Sequence, residues 1–300
     1  MGVDDSLGAV LQRGRHALAQ GPYGDIGEAR LLLSWATGLT KEETLVQEDR
    51  ILAASIIQKF EEALVQRQGG CPIARILGEK EFFGLTFSLN PHTLVPRPDS
   101  ECLVTAGLAF LDSCQRNASQ TLPSQSGDFQ PQILDLGTGS GCLLLSLLSH
   151  HRTARGLGVD ISSDAITQAT DNAHHLALQT RSTFRCTDWY AGLSQGYKVD
   201  LIISNPPYIS TAEIATLSPE VREHDPIMAL EGGISGTAPY AEIIQQAPRF
   251  LKPGGMLMVE IGWTQRDNIT ALFQQAGFTD IFCGQDLGAR DRFVQGLYNG

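Results

Sequence analysis

Residues 199–210, "VDLIISNPPYIS", end a run of strand-forming side chains in an amide, two prolines and an aromatic ring. Proline has no N–H group to donate to a sheet, so the strand must stop there. Asn205 is therefore left at the end of a buried strand, on a stiff backbone with Tyr208 close behind. This pattern predicts a ligand-binding site made of Asn205, Pro206, Pro207 and Tyr208.

The residue types suit a substrate that carries an NH2 group. The Asn205 side-chain oxygen can accept one hydrogen and the Pro206 carbonyl the other, which fixes the nitrogen and aims its lone pair. Tyr208 can stack on a planar amide or base. An oxygen nucleophile would leave one acceptor unpaired, at a cost of roughly 1–3 kcal/mol. The predicted chemistry is methyl transfer from a sulfonium donor to a weakly nucleophilic nitrogen.

A glycine-rich turn joins a strand to a helix in "ILDLGTGSGCLLLSLL". Such a turn lets a ligand approach the backbone, and the helix N-terminus offers free N–H groups. A dinucleotide loop, G-x-G-x-x-G, would place its third glycine at position 142, so G-x-G-x-G favours another nucleotide-like ligand. A tight connection without a ligand is the alternative. The candidate cofactor-binding residues here are Gly137, Thr138, Gly139, Ser140 and Gly141.

Further polar residues follow the next two predicted strands. Asp160 lies 23 residues beyond Gly137 and can accept hydrogen bonds from both hydroxyls of a ribose, although it also suits a helix cap. Asp188 can accept from an exocyclic amine, and Trp189 can cover a flat base or belong to the core. With Asn205, these positions predict an S-adenosylmethionine pocket, because no pyrophosphate-binding feature accompanies them.

Composition limits the other functions. The chain of 300 residues has a formal net charge of −11, which argues against binding nucleic acid through phosphates. Its six cysteines are scattered without a Cys-x-x-Cys pair, as in a cytoplasmic protein with reduced thiols, and no metal site is predicted. Neither a signal peptide nor a membrane span is predicted. Nothing requires more than a monomer.

Three regions differ in pattern. Residues 1–72 show helical patterns only and are interpreted as a docking domain; residues 73–97 suggest a β-hairpin linker; residues 98–300 alternate strands and helices. Residues 115–130, rich in Ser, Gln, Pro and Gly, are predicted to form a loop. Seven strands are predicted in the last region, near residues 133–136, 156–159, 183–186, 199–204, 256–261, 281–283 and 293–298. This is an α/β fold with a mainly parallel, Rossmann-like sheet.

The chain resembles the HemK/PrmC family of protein-(glutamine-N5) methyltransferases. The resemblance covers nearly the whole chain and rests on "GEKEFFGLTFSLNPHTLVPRPDSE", "DLGTGSG", "GVDIS", "SNPPYI", "VREHDPIMALEGGISG" and "LKPGGMLMVEIG". It implies methylation of the Gly-Gly-Gln glutamine of class 1 peptide chain release factors, and a seven-stranded sheet whose last strand is antiparallel. It also implies that residues 137–141, Asp160, Trp189 and Asn205 line the cofactor pocket and that residues 205–208 hold the glutamine amide. Phe83 and Arg97 are implied to border the same pocket.

Three alternatives stay open at this stage. An adenine-N6 methyltransferase of DNA or RNA would use the same Asn-Pro-Pro-Tyr segment, but it predicts a basic groove or an added recognition domain. A non-catalytic protein that binds release factors would not need the glycine-rich loop. A nicotinamide dehydrogenase is disfavoured by the glycine spacing.

Overall fold

The computed structural model describes residues 4–121, 129–194 and 196–300. They fall into two compact units. One comprises the chain up to Glu79 together with Ser218–His224, and the other comprises Lys80–Leu217 with Asp225–Gly300. The three-part division predicted from the sequence, at 1–72, 73–97 and 98–300, stays a prediction.

The first unit is helical, as its pattern predicts. Leu7 and Leu32 are among the apolar side chains of its core, which the helices enclose. At Gly14 a side chain would collide with the Phe60 ring, because an added Cβ would lie 2.4 Å from Cζ of that ring. The helices of this part are α1 (Leu7–Gln20), α2 (Glu28–Thr37), α3 (Lys41–Val46), α4 (Ala54–Gln68) and α5 (Ile73–Leu77).

A hairpin follows, formed by β1 (Glu79–Phe82) and β2 (Leu85–Ser88). Its two-residue loop has Phe83 at φ +51° and Gly84 at φ +74°. Left-handed conformations at both central positions match the right-handed twist of the flanking strands. The predicted hairpin is therefore confirmed.

The second unit is built on a seven-stranded sheet, which confirms the predicted fold class. Its strands are β3 (Gln132–Leu136), β4 (Arg155–Asp160), β5 (Ser182–Cys186), β6 (Val199–Ser204), β7 (Leu251–Glu260), β8 (Thr279–Gln285) and β9 (Asp291–Tyr298). The order in the sheet is β5-β4-β3-β6-β7-β9-β8. The pairs from β5 to β7 are parallel, and β9 runs antiparallel to both of its neighbours. The last strand is thus antiparallel, as the resemblance implies.

The helices of the second unit pack two apolar layers against the sheet. One layer includes Tyr240 and Phe273, and the other includes Leu103 and Leu147. The helices of these layers are α6 (Glu101–Thr121), α7 (Cys142–His150), α8 (Ser163–His175), α11 (Ala238–Gln246) and α12 (Arg266–Gln275). Helix α9 (Thr211–Ile214) has no buried residue, and α10 (Pro219–Arg222) belongs to the first unit.

The strand order places the candidate residues. From β3 the chain builds outward to β4 and β5, and then returns to the other side of β3 with β6. Parallel sheets bind ligands outside the carboxyl ends of their strands, at the point where the order reverses. The glycine-rich turn follows β3, Asp160 ends β4 and Asn205 follows β6, so all three lie at this reversal.

The loop predicted over residues 115–130 is partly wrong. Helix α6 continues to Thr121, so residues 115–121 are helical. Polar composition alone does not distinguish a loop from the exposed end of a long helix, because helices tolerate Gln and Ser on their solvent face. Residues 122–128 lie outside the described residues.

Asn172 on α8 joins three parts of the second unit. Its Oδ1 accepts from the Ser88 backbone N–H at 2.9 Å, and its Nδ2 donates to the carbonyls of Ser88 at 3.1 Å and Ser140 at 2.9 Å. The side chain is fully buried. It therefore connects the hairpin to the glycine-rich turn.

We predict that Asn172→Ala lowers the free energy of unfolding by about 3 kcal/mol, because backbone groups lose their partner in a buried place. Urea unfolding followed by circular dichroism measures this change. Asn299→Ala, at an exposed position, serves as the control and should change stability by less than about 0.5 kcal/mol. Equal effects of the two substitutions would show that the hydrogen bonds of Asn172 do not stabilise the fold.

Candidate active site

A cavity of about 410 Å³ lies at the carboxyl ends of β3, β4 and β6. Its wall includes all of the predicted cofactor-binding residues except Gly141, and it includes Asn205 and Pro207 of the Asn-Pro-Pro-Tyr segment. Further wall residues, not predicted, are His92, Thr93, Leu94, Pro96, Ser100, Cys142, Leu143, Ile161, Ser162, Thr187, Pro226, Met228, Ala229, Glu231 and Pro239; Arg97, which the resemblance implies, is also present.

Glycine is required twice in the turn after β3. Gly139 has φ +55° and a Cβ there would meet no atom within 4 Å, so its backbone faces open space in the cavity. Gly141 has φ +81° and begins α7; a Cβ there would lie 3.0 Å from Leu145 and 3.3 Å from Ala169. Gly139 thus lets a ligand approach the backbone, whereas Gly141 lets α7 pack closely.

The turn is held from below by buried polar groups. The Thr138 hydroxyl donates to Oδ2 of Asp135 at 2.6 Å, and the Thr138 N–H donates to the Val159 carbonyl at 2.9 Å. Burial raises the pKa of Asp135 to about 7. These bonds hold the turn through the protein's own groups and shape this side of the cavity wall.

Asp160 ends β4 with each carboxylate oxygen facing a backbone donor. Its Oδ2 accepts from Gly139 N–H and its Oδ1 accepts from Ser162 N–H, both at 2.9 Å. Helix α8 is capped by the Ser162 hydroxyl, which accepts from Ala165 N–H, so Asp160 is not the helix cap. Each carboxylate oxygen can accept a second hydrogen bond. Burial raises the pKa of Asp160.

Asp188 and Trp189 follow β5 and both belong to the wall. Trp189 adopts φ +39°, an uncommon conformation for a large side chain, and packs partly against the core. Its ring lies beside the turn, since a Cβ on Gly137 would be 3.4 Å from Cζ3 of the indole. Asp188 is exposed. The aromatic ring thus faces both the core and the cavity.

The Asn-Pro-Pro-Tyr segment divides between wall and core. Asn205 and Pro207 belong to the wall, whereas Pro206 is buried and Tyr208 packs against the apolar core. The Tyr208 carbonyl accepts from Gln265 Nε2 at 3.0 Å. Burial raises the pKa of the Tyr208 phenol to about 12. The structure does not place the Tyr208 ring in the described cavity wall, where a stacking role would put it.

Sequence reasoning missed two buried partners of Asn205. Glu260 ends β7, and the register pairs Ser204 with Val259, so Asn205 and Glu260 follow neighbouring positions on adjacent strands. The Ser100 hydroxyl donates to Oε2 of Glu260 at 2.5 Å, and Asn205 Nδ2 lies 3.4 Å from Ser100 Oγ. A carboxylate at the end of an apolar strand is the signal that could have identified Glu260.

Opposing effects act on the pKa of Glu260. Burial raises its pKa to about 7, while the Ser100 hydrogen bond and the Arg292 guanidinium oppose that rise. Arg292 also pairs with Asp286 at 2.9 Å and with Asp99 at 3.2 Å. The site therefore contains a carboxylate whose charge changes near neutral pH.

An ion pair fixes another part of the wall, at Arg97. Arg97 Nη2 lies 2.5 Å from Oδ2 of Asp225, and the Val95 N–H donates to Oδ1 of Asp225 at 3.4 Å. Asp225 is buried, so its charge is compensated by this pair. Phe83, in contrast, is not a wall residue and packs edge-on against His150, with ring centroids 4.9 Å apart.

The described part of the chain contains no group of three or more His, Cys, Asp or Glu side chains that could hold a metal ion. The cysteines are all free thiols. Over the described ranges, no helix has the length and apolar character needed to cross a membrane.

The family models divide along the chain. Residues 130–286 match the model described as "Methyltransferase domain", and residues 9–78 match the "PrmC N-terminal domain". The "hMettl16 catalytic domain in complex with MAT2A 3'UTR hairpin 6" has the same fold, with a TM-score of 0.53 at 14% identity over 79% of this chain and 82% of that chain. The family model that matches residues 130–286 therefore defines a methyltransferase.

Curated relatives identify the family. The release factor glutamine methyltransferase of Caulobacter vibrioides is 39% identical over 91% of this chain and 89% of that protein. That of Bradyrhizobium diazoefficiens is 43% identical over 83% of this chain and 80% of that protein. The chain belongs to the release factor glutamine methyltransferase family.

We predict that Glu260→Gln stabilises the protein at pH 8 but much less at pH 5. The pKa of Glu260 is raised on folding from 4.5 to about 7, so its favourable contribution is complete below pH 4.5 and is lost as the pH rises through 7. Glutamine stays neutral throughout. Urea unfolding of both proteins at the two pH values measures the difference.

Glu213→Gln is the matched control, and it should change the stability at pH 8 in the opposite direction. Hydrogen bonds from Ser210 lower the pKa of Glu213, so its charge stabilises the fold above the acidic range and the substitution should cost stability at pH 8. A Glu260→Gln protein that is less stable than the wild type at pH 8 would contradict the buried-charge account.

Proposed function

We propose that the protein transfers a methyl group from S-adenosylmethionine to the side-chain amide nitrogen, N5, of a glutamine. The proposed substrate is the Gly-Gly-Gln motif of a class 1 peptide chain release factor. The observation that carries the proposal is Asn205 in the cavity wall at the end of β6, facing the same space as the glycine-rich turn. The names of the relatives support the substrate.

The cavity fits S-adenosylmethionine. The cavity volume of about 410 Å³ is within the usual range for small-molecule sites, and the open space beside Gly139 lets a ligand lie against the backbone. In the proposed arrangement Asp160 accepts from the ribose hydroxyls, Asp188 from an exocyclic amine, and Trp189 covers the base. When bound, the cofactor supplies an electrophilic methyl group on a sulfonium.

The proposed catalytic contribution of the chain is to position an amide. The glutamine NH2 is a poor nucleophile because its lone pair is delocalised. Asn205 Oδ1 and the Pro206 carbonyl each accept one hydrogen, which fixes the nitrogen and turns its lone pair toward the methyl group. Positioning of this kind can lower a barrier by on the order of 7–11 kcal/mol. Pro207 stiffens the backbone that carries these acceptors.

Tyr208 takes a supporting place in this arrangement. Its ring packs against the core behind the Asn-Pro-Pro segment, and Gln265 holds its carbonyl. It therefore fixes the backbone from behind the wall.

Other parts of the proposal concern partners and location. We propose that the helical region 1–72 docks the release factor, that 73–97 links it, and that 98–300 performs the transfer. The net charge of −11 supports a protein partner without direct contact to nucleic acid. We propose a cytoplasmic enzyme that acts as a monomer, and the free cysteines support the cytoplasmic location.

The direct test is to incubate the protein with isotope-labelled S-adenosylmethionine and purified, unmodified release factor. Tandem mass spectrometry should locate one added methyl group on the glutamine of Gly-Gly-Gln. A release factor with glutamate at that position is the matched control and should stay unmodified. Labelling of duplex DNA or RNA instead would support the adenine-N6 alternative, and labelling of neither would contradict the proposed transfer.

We predict that Asn205→Ala lowers kcat/KM for the release factor by about 10³-fold or more, because the amide loses an oriented acceptor. Initial rates of methyl transfer measure the loss, and circular dichroism checks that the fold is retained. Asn299→Ala is the control at a distant exposed position. Near-normal turnover of the Asn205 variant would contradict the two-acceptor arrangement.

We predict that Asp160→Ala weakens binding of S-adenosylmethionine by about 10-fold to 100-fold, since charged hydrogen bonds contribute roughly 1.5–3 kcal/mol. Isothermal titration calorimetry measures the affinity. Asp160→Asn, which preserves size, separates loss of charge from loss of packing. An affinity unchanged by either substitution would remove the ribose role.

A further inference from the structure

We propose that Glu260, acting through Ser100, sets the orientation of the Asn205 carboxamide so that its Oδ1 faces the cavity as a hydrogen-bond acceptor. Both are positioning residues, since they act on the substrate only through Asn205. The part of this inference that concerns turnover rests on the proposed function. The hydrogen-bond chain itself is a property of the protein alone.

A hydrogen-bond network links the buried side chains of Glu260 and Ser100 to the half-buried side chain of Asn205. Glu260 is 1% exposed and Ser100 is 3% exposed. The Ser100 hydroxyl lies 2.5 Å from Oε2 of Glu260, and Nδ2 of Asn205 lies 3.4 Å from Oγ of Ser100. The Asn205 side chain also lowers the pKa of Glu260.

Donor and acceptor counting determines the direction of the chain. An ionised Glu260 has no hydrogen and can only accept, so the single Ser100 hydrogen is used on it. Ser100 Oγ then has only lone pairs left, and the end of Asn205 that faces it must be NH2. Oδ1 consequently lies on the other side of the carboxamide. The two ends of an Asn side chain have nearly the same shape, so this network decides which end is which.

A protonated Glu260 permits the reverse direction. It can donate to Ser100 Oγ, and Ser100 can then donate to Asn205, which favours an Oδ1 that faces inward. The cavity would then meet an NH2 group, which opposes the NH2 of a glutamine substrate. Proton binding at Glu260 therefore converts the site from an acceptor to a donor.

Charged and titratable groups surround Glu260 on several elements. Arg292 on β9 favours the ionised form, and Asp99 before α6 favours the neutral form. Among the described residues, Cys102 on α6, Cys142 on α7, Tyr208 after β6 and Tyr240 on α11 also interact electrostatically with Glu260. Burial raises the pKa of each of these four groups, so they remain neutral where Glu260 titrates and do not reverse its charge.

The first experiment measures kcat for methyl transfer to the release factor between pH 6 and pH 8, at saturating cofactor and substrate. With the pKa of Glu260 at about 7, the wild-type kcat should fall about tenfold from pH 8 to pH 6. Glu260→Gln should be slower at pH 8, because glutamine permits both directions of the hydrogen-bond chain. Its kcat should not show the fall toward low pH, here called the acid limb.

Asp135→Asn is the matched control. Burial also raises the pKa of Asp135 to about 7, but the Asp135 carboxylate accepts its hydrogen bond from Thr138 in the glycine-rich turn. Asp135→Asn should keep the acid limb, whatever its absolute rate. An acid limb that persists in Glu260→Gln, or that disappears in Asp135→Asn alone, overturns the proposal.

The second experiment tests Ser100. Ser100→Ala should lower kcat at pH 8 by about tenfold or more, with a much smaller change in KM for the cofactor, and Ser100→Thr should restore most of the loss by restoring the hydroxyl. Ser146→Ala controls for removal of a buried serine, since the Ser146 hydroxyl is buried without a hydrogen-bond partner among the described residues. A Ser100→Ala enzyme with wild-type kcat overturns the proposal.

A third measurement needs no substrate. In protein labelled with 15N-asparagine, the side-chain amide signal of Asn205, assigned by its loss in Asn205→Asp, should shift with an apparent pKa near 7. This titration should vanish in Ser100→Ala and in Glu260→Gln. If the signal titrates in this way while no release factor is methylated, the hydrogen-bond chain is supported and the proposed function fails. A signal that does not titrate overturns the proposed hydrogen-bond chain, whatever the activity.

Discussion

The site depends on one topological constraint, the reversal of strand order between β3 and β6. Because β4 and β6 lie on opposite sides of β3, the loops that follow these strands separate and leave a crevice at their carboxyl ends. The turn at Gly139, the carboxylate of Asp160 and the amide of Asn205 face one cavity for this reason. Each is a polar group at the end of an apolar strand, where the sheet itself supplies no partner.

Stability and function oppose each other at the base of this crevice. Glu260 is a carboxylate removed from water, and its raised pKa reports the cost of ionising it there. An apolar residue would pack without that cost, as buried ion pairs elsewhere illustrate. The carboxylate instead gives direction to a chain of hydrogen bonds that reaches Asn205. Perturbed carboxylates of this kind are concentrated at functional sites because a fixed dipole there has chemical value.

The sequence was sufficient for much of the fold and for one side of the site. Alternating strands and helices predicted the seven-stranded sheet, and the glycine spacing with Asp160 predicted residues that line the cavity, because both signals are local. Ser100 and Glu260 are 160 positions apart, and no local pattern joins them. Tyr208 differs, because a local signal existed but did not determine where the ring packs. An aromatic ring next to a site is equally suited to the core, and tertiary packing decides between the two. The assigned roles of the site residues stay predictions until they are tested.

The most direct test is a crystal structure of the protein with S-adenosylhomocysteine and a Gly-Gly-Gln peptide, determined at pH 8. The glutamine amide nitrogen should lie within about 3.2 Å of both Asn205 Oδ1 and the Pro206 carbonyl oxygen, and close to the cofactor sulfur. Asn205 Nδ2 should face Ser100. A glutamine bound elsewhere, or an Asn205 that presents its NH2 group to the peptide, would contradict the account.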